Sequence, residues 1–150
     1  MHRNNFRGRQ KRSENRLDET VRVASIVQKG MATGRSSYVE MRALERIVKH
    51  NINSSVQVIK SAHGAPESEV ADLLSRIMAS VSGGYVDTLT PNGVLRKNEL
   101  DRLLTIDSEI SICLGMLESP RNSRARVKDV AATLRELIEE RKKLVGSLRA

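Results

Sequence analysis

The chain has 150 residues with 26 Lys+Arg against 18 Asp+Glu, a formal charge of +8. That is the size of one domain, or of a small core with an appended arm, and a charge that suits an acidic partner. Aromatic residues make up only 2%, namely Phe6, Tyr38 and Tyr85, so the core must be aliphatic and little surface exists for stacking splayed bases, which argues against a reader of single strands.

Residues 1–16 hold Arg3, Arg7, Arg9, Lys11, Arg12 and Arg16 against Glu14, a local net of +5. With one large apolar residue and no periodicity, this segment cannot bury enough surface to offset its ordering entropy, and it is expected to be a disordered basic arm. From Leu17 the spacing turns helical: Leu17, Val21, Ala24, Val27 and Met31 recur every three or four residues, and Gly30 and Gly34 bracket a stop. Met41, Leu44, Val48, Ile52, Val56 and Ile59 continue one stripe to Gly64. The run from His50 to Ser55 is poor in helix formers, so this stretch reads as one helix or as two with a break there. Pro66 suits a first helical turn, and Val70, Leu73, Leu74, Ile77 and Val81 form the next stripe, closed by Gly83 and Gly84. Residues 85–95 read as a connector with Pro91, Asn92 and Gly93 as its turn; alternatively Thr90 and Pro91 cap the following helix.

Two heptad-like seams dominate the last third. Leu100, Leu103, Asp107, Ile110, Leu114 and Leu117 form the first, and Val127, Val130, Leu134, Leu137, Arg141, Leu144 and Leu148 the second, parted by Ser119 and Pro120. Such helices bury their stripes most economically as an antiparallel hairpin. Leu104, Ile106, Ile112, Ile138 and Val145 widen the apolar face, which implies a further contact with the N-terminal helices or with other subunits. Each seam carries one charge. Folding the hairpin about residue 120 leaves Asp107 and Arg141 roughly two turns apart, so a direct pair is not expected. The predicted fold is therefore all-α: a helical bundle with a basic arm (1–16), an N-terminal helical region (17–86) and a C-terminal antiparallel hairpin (87–150).

Candidate chemistry lies in the cations. Arg121, Arg124, Arg126 and Lys128 cluster where the last helix begins, although cations there oppose the macrodipole by about 0.3–1 kcal/mol each. Helix N-terminal amides and arginines both donate to the same anion, so the hairpin tip joins Arg3, Arg7, Arg9, Lys11 and Arg12 as a candidate nucleic-acid contact. A solvated loop is the plainer reading of the tip. The stretch Val21–Val48, with Arg35, Arg42, Arg46 and Lys49 near its second helix, has the order of a helix-turn-helix, but the turn from Gly30 to Ser37 is longer than that motif uses. His2, His50 and His63 lack metal-ligand spacing. No phosphate loop, dinucleotide fingerprint or nucleophile elbow occurs, so no enzyme, cofactor or metal is expected. No run of about 18 apolar residues exists to span a membrane, and the arginine-rich start lacks the apolar stretch of a secretory signal. The lone Cys113 rules out an intramolecular disulfide or a cysteine-based zinc site. The expected location is cytoplasmic, that of the host if the source is viral.

The leucine-rich helix, the arginine-containing turn and the segment VKDVAATLRELIEERKKLVGSL resemble the C-terminal helices of phage terminase small subunits over residues 100–148. That resemblance implies a ring-forming protein that binds viral DNA and delivers it to a large packaging ATPase. It implies that Leu100, Leu103, Ile110, Leu114, Val130, Leu134 and Leu137 serve hairpin and ring packing. The N-terminal DNA-binding module usual in that family has no clear counterpart in this chain. The expected function is a non-enzymatic, homo-oligomeric binder of duplex phosphate; the alternative is a helical assembly or chaperone-like module that binds no nucleic acid.

Overall fold

The computed structural model describes residues 38–63, 68–81, 83–118 and 124–150. Among them are four α-helices, α1 (Tyr38–His63), α2 (Ser68–Ser80), α3 (Lys97–Leu117) and α4 (Arg124–Arg149), and a 3-10 turn at Val86–Thr88. The chain is an all-α bundle. The basic arm, the helix expected after Leu17, the first half of the helix-turn-helix candidate and Pro66 all lie outside the described residues.

Helix α1 forms because its apolar residues recur with the helical period. Met41, Leu44, Val48, Ile52, Val56 and Ile59 are all at most 3% exposed. The helix runs without a break through His50–Ser55. The polar residues Asn51 and Ser55 are themselves buried beside Ile52 and Val56, and burying this face overrides the weak local propensity that suggested a break.

The helices pack around a square. Helix α3 lies most extensively against α4, α1 lies against α3, α2 against α4, and α1 against α2, while α1 and α4 face each other across the diagonal, as do α2 and α3. Pairing of the start of α3 with the end of α4, through the Arg96 Nη1 bond to the Leu148 carbonyl at 3.4 Å, makes the C-terminal hairpin antiparallel. The wide apolar face of the hairpin is largely used inside the chain: Ile106, Ile138 and Val145 are buried in the same core as α1 and α2. Of the widening residues, Ile112 stays 46% exposed.

Residues 81–96 must therefore cross one end of the square to carry the chain from α2 to α3. Thr90 N–H donates to the Val94 carbonyl, Gly93 N–H to the Thr90 carbonyl, and Arg96 N–H to the Thr88 carbonyl, each at 2.8 Å. These bonds close a tight turn over Pro91–Gly93, where Gly93 takes φ +79°. The alternative in which Thr90 caps the next helix is not adopted. Its hydroxyl accepts from Val94 N–H at 3.0 Å inside the turn, and α3 begins only after Arg96. Because the connector passes over the interior, Tyr85 and Thr88 are fully buried, and residues on both sides of position 86 share a single core.

Gly84 makes this crossing possible. Its φ is +109°, and a Cβ there would lie 2.9 Å from Val145 Cγ2 and 3.1 Å from Leu103 Cδ2. Only glycine meets both the backbone conformation and the closeness of approach.

Candidate functional site

The polar groups of the interior converge under the connector. Asp107 on α3 is 1% exposed and Arg141 on α4 is 3% exposed. Contrary to the separation expected from folding about residue 120, they form a bidentate pair: Arg141 Nε donates to Oδ1 at 2.8 Å and Nη2 to Oδ2 at 3.2 Å. Asp107 lies 10 residues before the end of α3 and Arg141 lies 17 residues after the start of α4, a difference of about 10 Å at 1.5 Å per residue. Helical side chains lean toward their own N-terminus. In an antiparallel pair Arg141 therefore leans toward the hairpin tip and Asp107 away from it, and the long guanidinium arm closes the gap.

The pair is embedded in further bonds. Tyr85 Oη donates to Asp107 Oδ2 at 2.7 Å. Arg141 Nη2 donates to the Gly83 carbonyl at 2.7 Å and Nη1 to the Ser80 carbonyl at 3.2 Å, which ties α4 to the end of α2. A guanidinium has five N–H donors, so among the described residues one on Nη1 has no partner. Beside this hub, Glu45 on α1 accepts from Val86 N–H at 2.9 Å and anchors the start of the 3-10 turn. The hub thus joins all four helices to the connector.

Burial, with the neighbouring Asp107 carboxylate, pushes the Tyr85 phenol well above its ordinary value. Burial acts to lower the Arg141 pKa, but Asp107, Tyr85 and Glu45 more than offset it, and the net direction is upward. Tyr85 is neutral and Arg141 charged at any physiological pH. Tyr85 is also fully enclosed, so the arrangement fixes register and offers no reacting group to solvent. Burial, then Glu109, raises the Cys113 thiol as well, the opposite of an activated nucleophile. Among the described residues no three His, Cys, Asp or Glu side chains gather as metal ligands, and no helix is long and apolar enough to cross a membrane.

Above the hub a half-open cleft of about 210 Å³ lies between the end of α2 and the last turns of α4, lined by Ser80, Gly83, Arg141, Lys142, Val145, Gly146 and Arg149. Among the described residues three cations and no carboxylate line it. Arg149 Nε pairs with Asp87 at 3.1 Å, and Lys142 Nζ lies 3.8 Å from Glu139. All four side chains are on or near the surface, where such pairs contribute about 0–1 kcal/mol. Gly146 is unusual. A Cβ built on it meets nothing within 4 Å, so packing does not require glycine, although glycine inside a helix costs about 1 kcal/mol relative to alanine.

The sequence-predicted residues are divided. Arg3, Arg7, Arg9, Lys11, Arg12, Arg121 and the side chain of Arg124 lie outside the described residues, while Arg126 and Lys128 are exposed on the first turns of α4, at the end of the bundle opposite the connector. Leu100, Leu103, Ile110, Leu114, Val130, Leu134 and Leu137 are all at most 7% exposed within the single chain. Their side chains belong to the core of the single chain. Sequence reasoning missed the cleft because Lys142 and Arg149 look like ordinary charges on a solvated helix face. Gly146, a helix breaker inside a strong helical period, was the one available signal. Compared with known proteins, the chain matches no family model, no curated protein and no solved structure.

Proposed function

We propose that the chain is a non-enzymatic helical protein that binds duplex DNA through its phosphates, in the manner of a phage packaging adaptor of the small-terminase kind, working as a homo-oligomer beside a large packaging ATPase. The distribution of charge carries this reading. Residues 1–37 hold nine Lys/Arg against three Asp/Glu, a net of +6 out of the chain's +8. The segment joins α1 at Tyr38, and on α1 Arg42, Arg46 and Lys49 share one exposed face by their spacing of four and three residues. Basic side chains on one helix face, continuous with a basic segment, neutralise phosphates without reading bases. The scarcity of aromatic side chains favours a duplex over single strands.

The test is duplex affinity as a function of salt. Affinity is expected to fall steeply with ionic strength, and replacing Arg7, Arg9, Lys11 and Arg12 together with Ala is expected to flatten the log–log slope by up to roughly 3–4 units, at about 0.9 per phosphate contact. No measurable binding at low salt overturns the reading. That outcome favours the protein-interaction alternative, for which Ile112 and Met116, 46% and 39% exposed and one turn apart on α3, form one exposed apolar pair among the described residues.

A further inference from the structure

We propose that the cleft between the end of α2 and the last turns of α4 is a phosphate-binding site, with Arg141 as its floor and Lys142 and Arg149 as its grips. The inference goes beyond the duplex reading and stands without it, since free phosphate and backbone phosphate both present anionic non-bridging oxygens to the same donors.

Four observations converge on this site. Among the described residues the lining holds Arg141, Lys142 and Arg149 and no carboxylate. Arg141 is held rigid by four hydrogen bonds, to Asp107 twice and to the Gly83 and Ser80 carbonyls, and one N–H on Nη1 has no partner among the described residues, so that donor is preorganised at no further entropic cost. Among the described residues Lys142 has only an exposed partner, Glu139, at 3.8 Å, and Arg149, itself exposed, shares one hydrogen bond with the half-buried Asp87. Charge-assisted bonds to a phosphate carrying up to two negative charges displace or share such pairs readily. Finally, Gly146 lies exposed on this face, and a Cβ on it meets no described atom within 4 Å, so a longer side chain at 146 would reach over the cleft. A volume of about 210 Å³ exceeds that of a few water molecules at roughly 30 Å³ each and accommodates one tetrahedral anion with its hydration.

The test uses the full chain with inorganic phosphate as the probe, titrated calorimetrically at constant ionic strength against chloride. Saturable binding is expected, weakened roughly tenfold or more by Lys142→Glu and by Gly146→Glu through loss or reversal of charge at the grip. Neither substitution touches the buried hub. Glutamate is also a better helix former than glycine, so thermal melting without phosphate should hold or rise. The same two variants are then measured on a short duplex. A parallel loss of duplex affinity identifies the bound group as backbone phosphate; unchanged duplex affinity with lost phosphate binding identifies a free phosphate. Either result supports the site, and the second does so even if the duplex reading fails. Absence of saturable phosphate binding, or binding that both variants leave intact, overturns it.

Discussion

The long aliphatic seams and the short polar hub hold the same four helices together in different ways. Along the seams, Leu44, Val48, Leu103, Ile110, Leu134 and their neighbours contribute burial, which depends on volume and pattern and tolerates substitution by residues of similar size. At the hub, Tyr85, Asp107 and Arg141 are joined by directional bonds between 2.7 and 3.2 Å. Aliphatic packing supplies most of the stability. The hub decides which register the seams adopt, because a slide of one turn would bury an unpaired charge.

Breaking the hub from one side should have the largest effect. Arg141→Leu leaves Asp107 charged, 1% exposed and bonded only by Tyr85 among its described partners, and is expected to cost about 3–5 kcal/mol in chemical denaturation. Adding Asp107→Leu should restore much of that loss. If the double variant proves as unstable as the single one, packing rather than the ion pair dominates at this point.

A second, somewhat smaller effect should come from crowding the connector instead of discharging the hub. Gly84→Ala places a methyl 2.9 Å from Val145 Cγ2 in a conformation with φ +109°, and a loss of about 2–4 kcal/mol is expected. An unchanged midpoint in urea would mean that the connector yields more easily than its buried position implies.

The mildest change sharpens the contrast by pH. Tyr85 has its pKa raised in the folded state, so above the unfolded value of about 10 the unfolded chain releases a proton that the folded chain keeps. Stability from this group is complete below about pH 10 and declines as pH rises toward the folded pKa, at about 1.4 kcal/mol per pH unit. Tyr85→Phe is expected to cost about 1–2 kcal/mol near neutrality and to lessen the alkaline decline between pH 10 and 11. Identical slopes in the two proteins would show that the phenol ionises as readily folded as unfolded.

Which parts of this architecture were legible follows from the range of the forces involved. The stripes of α1, α3 and α4 were readable because helical periodicity is local, and every residue of the α1 stripe from Met41 to Ile59 is buried. The Asp107–Arg141 pair was misjudged because counting residues from the turn ignores the lean of side chains along a helix. Tyr85 was passed over as part of a connector. Nothing within a few residues of it marks burial, which arises from a chain crossing that only the assembled square imposes. The seven leucine, isoleucine and valine positions assigned to hairpin and ring packing are all buried within the single chain, as their helical period implies. The cleft left only Gly146 as a trace, since exposed lysines and arginines are common on any basic helix.

The crossing connector also bears on how two copies of the chain can exchange parts. Residues 81–96 join α1 and α2 to α3 and α4, and they are the natural hinge for swapping one helix pair between molecules. To open that hinge, Tyr85 must leave its carboxylate, Gly84 must leave its fit against Leu103 and Val145, and the Ser80 and Gly83 carbonyls must give up Arg141. A swapped pair would regain these contacts, so the obstacle is a barrier rather than a difference in final energy. The hub therefore acts as a kinetic latch that keeps each chain folded upon itself.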